Sequence, residues 1–269
     1  MDFSPRKPDW PWLMSMVGSL DLAGGRRLAF VHHAGRSPGI MFCGGFKSDM
    51  TGSKALSLER FFVKEGRAFT RFDYTGHGAS SGTFEEGTIG AWASDAIAMI
   101  DEATSGPLVL IGSSMGAWIM VLAAMARPKR VRGLVGIASA PDFTEDLMWG
   151  MATATQRDVL MREGRWEQPS AYSDEPYIYT RDLIEDGREH LVLRTPIPFQ
   201  GPTHLIHGQD DPDVPWQTTL RLASALQSED VTVELIKSGD HRLSKPHELR
   251  RIIDGTQRVL DAVDGGAEG

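Results

Sequence analysis

Cysteine is almost missing from this chain: its 269 residues include one, Cys43, so no internal disulfide can form and the fold must rest on its core. A long hydrophobic run is missing too. The longest apolar stretch, AWIMVLAAMA at 117–126, is too short to span a bilayer. Basic charge is scarce, with 28 Lys and Arg against 36 Asp and Glu and a formal charge of −8. That balance argues against a nucleic-acid partner, whose phosphates call for a basic face. The N-terminal MDFSPRKPDWPWLMSMVGSL is interrupted by prolines and lacks the continuous apolar centre of a secretory leader. These absences make a soluble cytoplasmic protein the expectation. Repeats and low-complexity tracts are absent apart from the glycine-rich end DGGAEG.

What is present is an alternation of two patterns. Short apolar runs recur at RLAFVHH (27–33), GIMFCG (39–44), AFTRFDY (68–74), PLVLIG (107–112), VRGLVGIAS (131–139), THLIHG (203–208) and VTVELIK (231–237). Several are continuous rather than alternating, as strands buried on both faces are. Helical patterns separate them at 53–66, 88–103, 115–128, 215–228 and 246–263. The alternation predicts an α/β fold, a mostly parallel central sheet with helices on both faces. Cys43 lies in a strand pattern and reads as a small buried side chain.

The rhythm breaks between Pro141 and Gln200. This segment is helical and irregular in pattern, and holds Trp149, Trp166 and three of the four tyrosines, Tyr172, Tyr177 and Tyr179. An insertion of that length at a strand end reads as a helical cap over a site, with residues 1–140 and 201–269 forming the core.

The sharpest local pattern is Gly112-Ser113-Ser114-Met115-Gly116, at the junction of the buried run PLVLIG and the helical run MGAWIMVLAAMA. Its G-x-S-x-G spacing puts Ser114 on a sharp strand-to-helix turn that exposes a nucleophile. Gly112 and Gly116 leave room where side chains would collide with the adjoining strand and helix. A serine hydroxyl needs a base, and the base needs a carboxylate to orient it. Downstream, THLIHGQDDPDVPW offers Asp210, Asp211 and Asp213 after one strand. VTVELIKSGDHRLS places His241 after the last. Both loops belong to the same sheet edge as Ser114. The Met115 N–H, at a helix N-terminus, is a ready donor to a developing oxyanion.

With these motifs the chain resembles the α/β-hydrolase superfamily over essentially its whole length. The family pattern H-G-x-x-D-x-x-V-P is met by His207, Gly208, Asp211, Val214 and Pro215, which selects Asp211 as the acid. The resemblance also points to the Phe46 N–H as the second oxyanion donor, although Gly44-Gly45 replaces the usual His-Gly there. The turn FDYTGHGASSG, with His77, matches a superfamily pattern D-x-x-G-x-G-x-S and is expected to be structural. GGFKSDMTGSKA, IGSSMGAW, HGQDDPDVPWQ and SGDHRL are similar to the group of mitochondrial palmitoyl-protein thioesterases and acyl-glucuronide esterases. That likeness implies a serine hydrolase of acyl esters or thioesters, working from Ser114, Asp211 and His241 without metal or organic cofactor. The alternatives are a serine peptidase of the same fold and an inactive ligand-binding relative. Oligomeric state is not legible in one sequence.

Overall fold

The computed structural model describes residues 15–168 and 176–266. Tyr172, most of the N-terminal proline-broken stretch and the last residues of DGGAEG lie outside the described residues. In chain order the strands are β1 (Ser15–Asp21), β2 (Arg27–His33), β3 (Arg36–Cys43), β4 (Arg67–Phe72), β5 (Leu108–Ser113), β6 (Val131–Ile137), β7 (Arg165–Gln168), β8 (Tyr177–Thr180), β9 (Thr203–Gly208) and β10 (Val231–Ile236). The helices are α1 (Ser53–Lys64), α2 (Ile89–Ala98), α3 (Met115–Ala126), α4 (Ala154–Glu163), α5 (Arg181–Glu189), α6 (Gln217–Ala225) and α7 (Pro246–Gly265).

Every residue of β5 and of β9 is buried, because both faces of the sheet are covered. They lie inside an eight-stranded sheet of order β1-β2-β4-β3-β5-β6-β9-β10, parallel from β4 to β10 and antiparallel at β1/β2 and β2/β4. Two apolar cores result, one on each face. Trp92 of α2, Trp118 of α3 and Leu222 of α6 pack on one face; Leu58 and Phe62 of α1 with Ile252 and Leu260 of α7 pack on the other. Helix α3 is apolar nearly all round, and it is correspondingly buried on nearly every side.

Register carries the strand ends to one edge. Cys43 pairs with Gly112, Ser113 with Ile137, Ile137 with Ile206, and Gly208 with Ile236. The loops after β3, β5, β9 and β10 therefore open side by side. The strand order reverses between β3 and β5, the position where open α/β sheets form their crevice.

Two features differ from the sequence expectation. Strand β1 was not anticipated: it is an edge strand with Met16 60% and Val17 77% exposed, so it carries no burial pattern to read. Residues 141–200 contain α4 and α5 but also the antiparallel pair β7/β8, whose four-residue strands are too short for a period to show. This segment leaves from β6 and returns into β9, and its two ends are tied together. Fully buried Asp142 accepts the N–H groups of Val192 (2.8 Å) and Leu193 (2.9 Å) and the Arg194 guanidinium (3.2 Å).

Candidate active site

Strand β5 ends at Ser113 and α3 begins at Met115, leaving Ser114 alone on the turn with φ 56° and ψ −120°. A non-glycine residue in the positive-φ region is strained and persists only where its surroundings hold it. The two flanking glycines make the turn possible. A Cβ on Gly112 would stand 2.4 Å from the Gly116 carbonyl oxygen, and one on Gly116 would stand 2.1 Å from that of Cys43. Both serines line a cavity, but Ser113 is buried in the strand whereas Ser114 is only half-buried.

Ser114, His241 and Asp211 come together in a continuous chain of hydrogen bonds. Ser114 Oγ lies 3.0 Å from His241 Nε2, and His241 Nδ1 lies 2.7 Å from Asp211 Oδ2. The Asp211 loop and the His241 loop are joined by the Asp210 N–H donating to the Gly239 carbonyl at 3.0 Å. Asp211 Oδ1 accepts the N–H groups of Asp213 (2.8 Å) and Val214 (2.9 Å). Burial by itself would raise the pKa of this carboxyl. Hydrogen bonds from His207 and His241 outweigh it and hold Asp211 far below the usual carboxylate range. The carboxylate that faces His241 is therefore ionised at any working pH.

His207 is the residue that sequence reasoning missed. In the sequence it stands only as the first position of the family pattern that selects Asp211, yet in the fold its fully buried ring is bonded at both nitrogens. Nδ1 stands 2.6 Å from Thr219 Oγ1, and Nε2 stands 3.0 Å from both Asp211 Oδ2 and the Val214 carbonyl. Facing two acceptors, Nε2 carries the proton, so Nδ1 accepts from the Thr219 hydroxyl. The signal was present as the four-residue step from His207 to Asp211, but its meaning depends on Thr219 in α6.

Phe46 and Met115, the two residues expected to supply main-chain donors, both line the cavity that Ser114 lines. The Met115 N–H opens α3, where helical amides have no intrahelical acceptor. Phe46 lies in the loop after β3, and its N–H has no acceptor among the described residues. That loop comes close: a Cβ on Gly45 would lie 3.4 Å from Ser114 Cβ. The Phe46 ring points into an aromatic cluster, edge-on to Phe84 (4.8 Å), Phe143 (5.6 Å) and Trp92 (5.9 Å), with Tyr177 and Tyr179 beyond.

The cavity over Ser114 measures about 690 Å³. Its lining includes Phe143, Leu147, Met148, Trp166, Tyr177 and Tyr179 from the segment between β6 and β9, and the polar side chains of Ser48, Lys54 and Arg242 from the core. Asp211, Asp213 and His241 are the group among the described residues whose ligand atoms converge within 4.8 Å, and two of them are already bonded to each other. Cys43 is fully buried, and burial pushes its thiol up to about 12. It stays protonated and takes no part in the site.

A family model described as "Alpha/beta hydrolase family" matches residues 30–252. The chain is 37% identical over 263 residues to mouse "Palmitoyl-protein thioesterase ABHD10, mitochondrial", covering 95% of this chain and 88% of that one. The structure of mouse alpha/beta hydrolase domain-containing protein 10 superposes with a TM-score of 0.86 at 36% identity, covering 91% of this chain and 98% of that one. A protein of Agrobacterium vitis S4, described as a hydrolase, superposes at 0.87 with 37% identity, covering 92% and 98%. These findings correct one expectation. The relatives are named as mitochondrial proteins, which overturns the cytoplasmic assignment. That assignment rested on the lack of a leader pattern, and such a lack is no positive signal for a compartment. Among the described residues no helix is long and apolar enough to cross a membrane.

Proposed function

This chain belongs to the alpha/beta hydrolase family, and from that premise we propose that it hydrolyses acyl thioesters and esters through an acyl-enzyme on Ser114. The observation that carries the proposal is the 3.0 Å contact between Ser114 Oγ and His241 Nε2, both of which line a cavity with many apolar side chains. The relatives named palmitoyl-protein thioesterase support an acyl substrate.

The chemistry follows from the bonding. With its Nδ1 proton donated to Asp211, His241 presents an Nε2 lone pair to the Ser114 hydroxyl. Oγ attacks the acyl carbon as its proton passes to Nε2, and the negative charge moves onto the carbonyl oxygen. The N–H groups of Phe46 and Met115 receive that oxygen; one such donor is worth roughly 10²–10³ in rate. The Asp211 carboxylate stabilises the imidazolium, which returns its proton to the departing thiolate or alkoxide as the C–S or C–O bond breaks. Water, deprotonated by the same Nε2, then attacks the acyl-enzyme, and the acid leaves as Ser114 regains its proton. Residues 141–200 serve as the cap, with Leu147, Met148 and Trp166 against the acyl chain and the polar Ser48, Lys54 and Arg242 toward the leaving group.

The test is kcat/KM on matched oxyesters and thioesters from two to sixteen carbons, with Ser114→Ala as control. Turnover that rises with acyl length, favours thioesters and vanishes in Ser114→Ala supports this reading. Turnover that survives in Ser114→Ala overturns it.

A further inference from the structure

The turn between β4 and α2, Asp73–Ser81, has no part in the chemistry above, yet it grips the loop that carries Phe46 at two points. Lys47 donates its backbone N–H to His77 Nε2 at 3.2 Å, and Met50 donates its own to Asp73 Oδ1 at 2.6 Å. Lys47 has φ 56°, a left-handed conformation that a lysine holds only with outside support. The preceding peptide is fixed as well, because the Gly45 carbonyl accepts the Ser48 N–H at 3.2 Å. Peptide units are planar. With the planes on both sides of Phe46 anchored, the direction of the Phe46 N–H is set.

His77 is built to accept. Its Nδ1 faces the Thr75 carbonyl at 3.3 Å, an acceptor that puts the ring proton on Nδ1 and leaves the Nε2 lone pair for Lys47. The ring is 4% exposed and packs edge-on against Tyr74 (5.6 Å), Phe84 (5.1 Å) and Trp92 (5.2 Å). Phe84 and Trp92 are also neighbours of the Phe46 ring. Burial pushes the His77 pKa down to about 4, against a smaller opposing effect of the Thr75 carbonyl, so the ring is neutral at neutral pH.

We infer that His77 is a positioning residue for hydrolysis: by holding the Lys47 N–H it aims the adjoining Phe46 N–H at the carbonyl oxygen of a substrate on Ser114. This rests on the assignment of Phe46 under Proposed function. A purely structural histidine would affect stability; a positioning one affects the transition state.

The test compares His77→Phe, which keeps an aromatic ring among Tyr74, Phe84 and Trp92 but has no acceptor, with His77→Gln, whose amide oxygen can reach the place of Nε2. The readouts are kcat, KM and the affinity of a trifluoromethyl ketone, which forms a tetrahedral oxyanion on the serine. In His77→Phe, kcat should fall about 10-fold or more and ketone affinity in parallel, with KM within about twofold. His77→Gln should recover most of both. Should His77→Phe not fold, His77→Asn, too short to reach Lys47, replaces it with the same expectation. The inference is overturned if the acceptor-free variant keeps kcat and ketone affinity, or if His77→Gln loses as much. Ser114→Ala separates the two levels. Wild-type turnover in that variant removes the underlying reading, whereas a dead Ser114→Ala beside a fully active His77→Phe removes only this one.

Discussion

His207 Nε2 lies 3.0 Å from Asp211 Oδ2, the same oxygen that His241 Nδ1 reaches at 2.7 Å. The carboxylate is thus held by a second, fully buried imidazole that never faces the cavity. His207→Ala should lower kcat about 10-fold, because Asp211 Oδ2 loses the donor it shares with His241 and is left held by the Asp213 and Val214 amides on Oδ1 alone. The same change should cost about 2–4 kcal/mol of stability, from a vacated buried volume and broken hydrogen bonds to a charge. Steady-state kinetics and denaturant melts check the two effects separately, and an unchanged kcat would remove His207 from the account.

Acid stability carries the signature of His77. Its pKa is about 4 in the fold, against roughly 6.5 in an unfolded chain, so the unfolded state takes up the proton first. The stability tied to the neutral ring is therefore complete above pH 6.5 and is lost as pH falls from there to about 4. A shift of this size corresponds to on the order of 3 kcal/mol. Melts at pH 7 and pH 4.5 should show a smaller acid loss in His77→Gln than in wild type. Equal losses would mean that His77 does not titrate as the burial requires.

Gly116 and Gly44 offer a paired steric test. A Cβ on Gly116 would meet the backbone oxygens of Cys43 at 2.1 Å and Gly44 at 2.5 Å, whereas one on Gly44 would meet nothing within 4 Å. Gly116→Ala should cost at least about 3 kcal/mol or prevent folding, and Gly44→Ala should stay within about 1 kcal/mol of wild type. Thermal unfolding of both variants decides this.

Phe46 separates side chain from main chain. Its ring packs on five aromatic neighbours, but its proposed catalytic group is the N–H, which survives substitution. Phe46→Ala should lower stability by about 2–4 kcal/mol and raise KM, with a kcat loss far smaller than that of Ser114→Ala. Losses of equal size would contradict the main-chain assignment.

The sequence was most legible where burial is complete. PLVLIG and MGAWIMVLAAMA stand out because β5 and α3 have almost no solvent-facing side, and the glycines around Ser114 are demanded by backbone contacts that local spacing already implies. It was least legible at edges and across distance. Nothing in SMVGSLD announces β1, because its outer side is open to water. The short β7/β8 pair is held by its partner strand rather than by its own pattern. His207 and His77 looked ordinary for the same reason: each acts through a group, Thr219 or the Lys47 N–H, that only the fold brings near. The strand-end positions of Ser114, Asp211 and His241 could be read from chain order, but their distances could not.

The most direct measurement is the covalent intermediate itself. Protein mixed with a long-chain thioester, quenched in acid within the first turnover and digested, is examined by mass spectrometry. The expected result is one acyl group on the peptide carrying Ser114, absent from Ser114→Ala and formed far more slowly in His241→Ala, which lacks the base that both half-reactions use. Thioester turnover with the acyl group on another residue, or with Ser114 never modified, would contradict it.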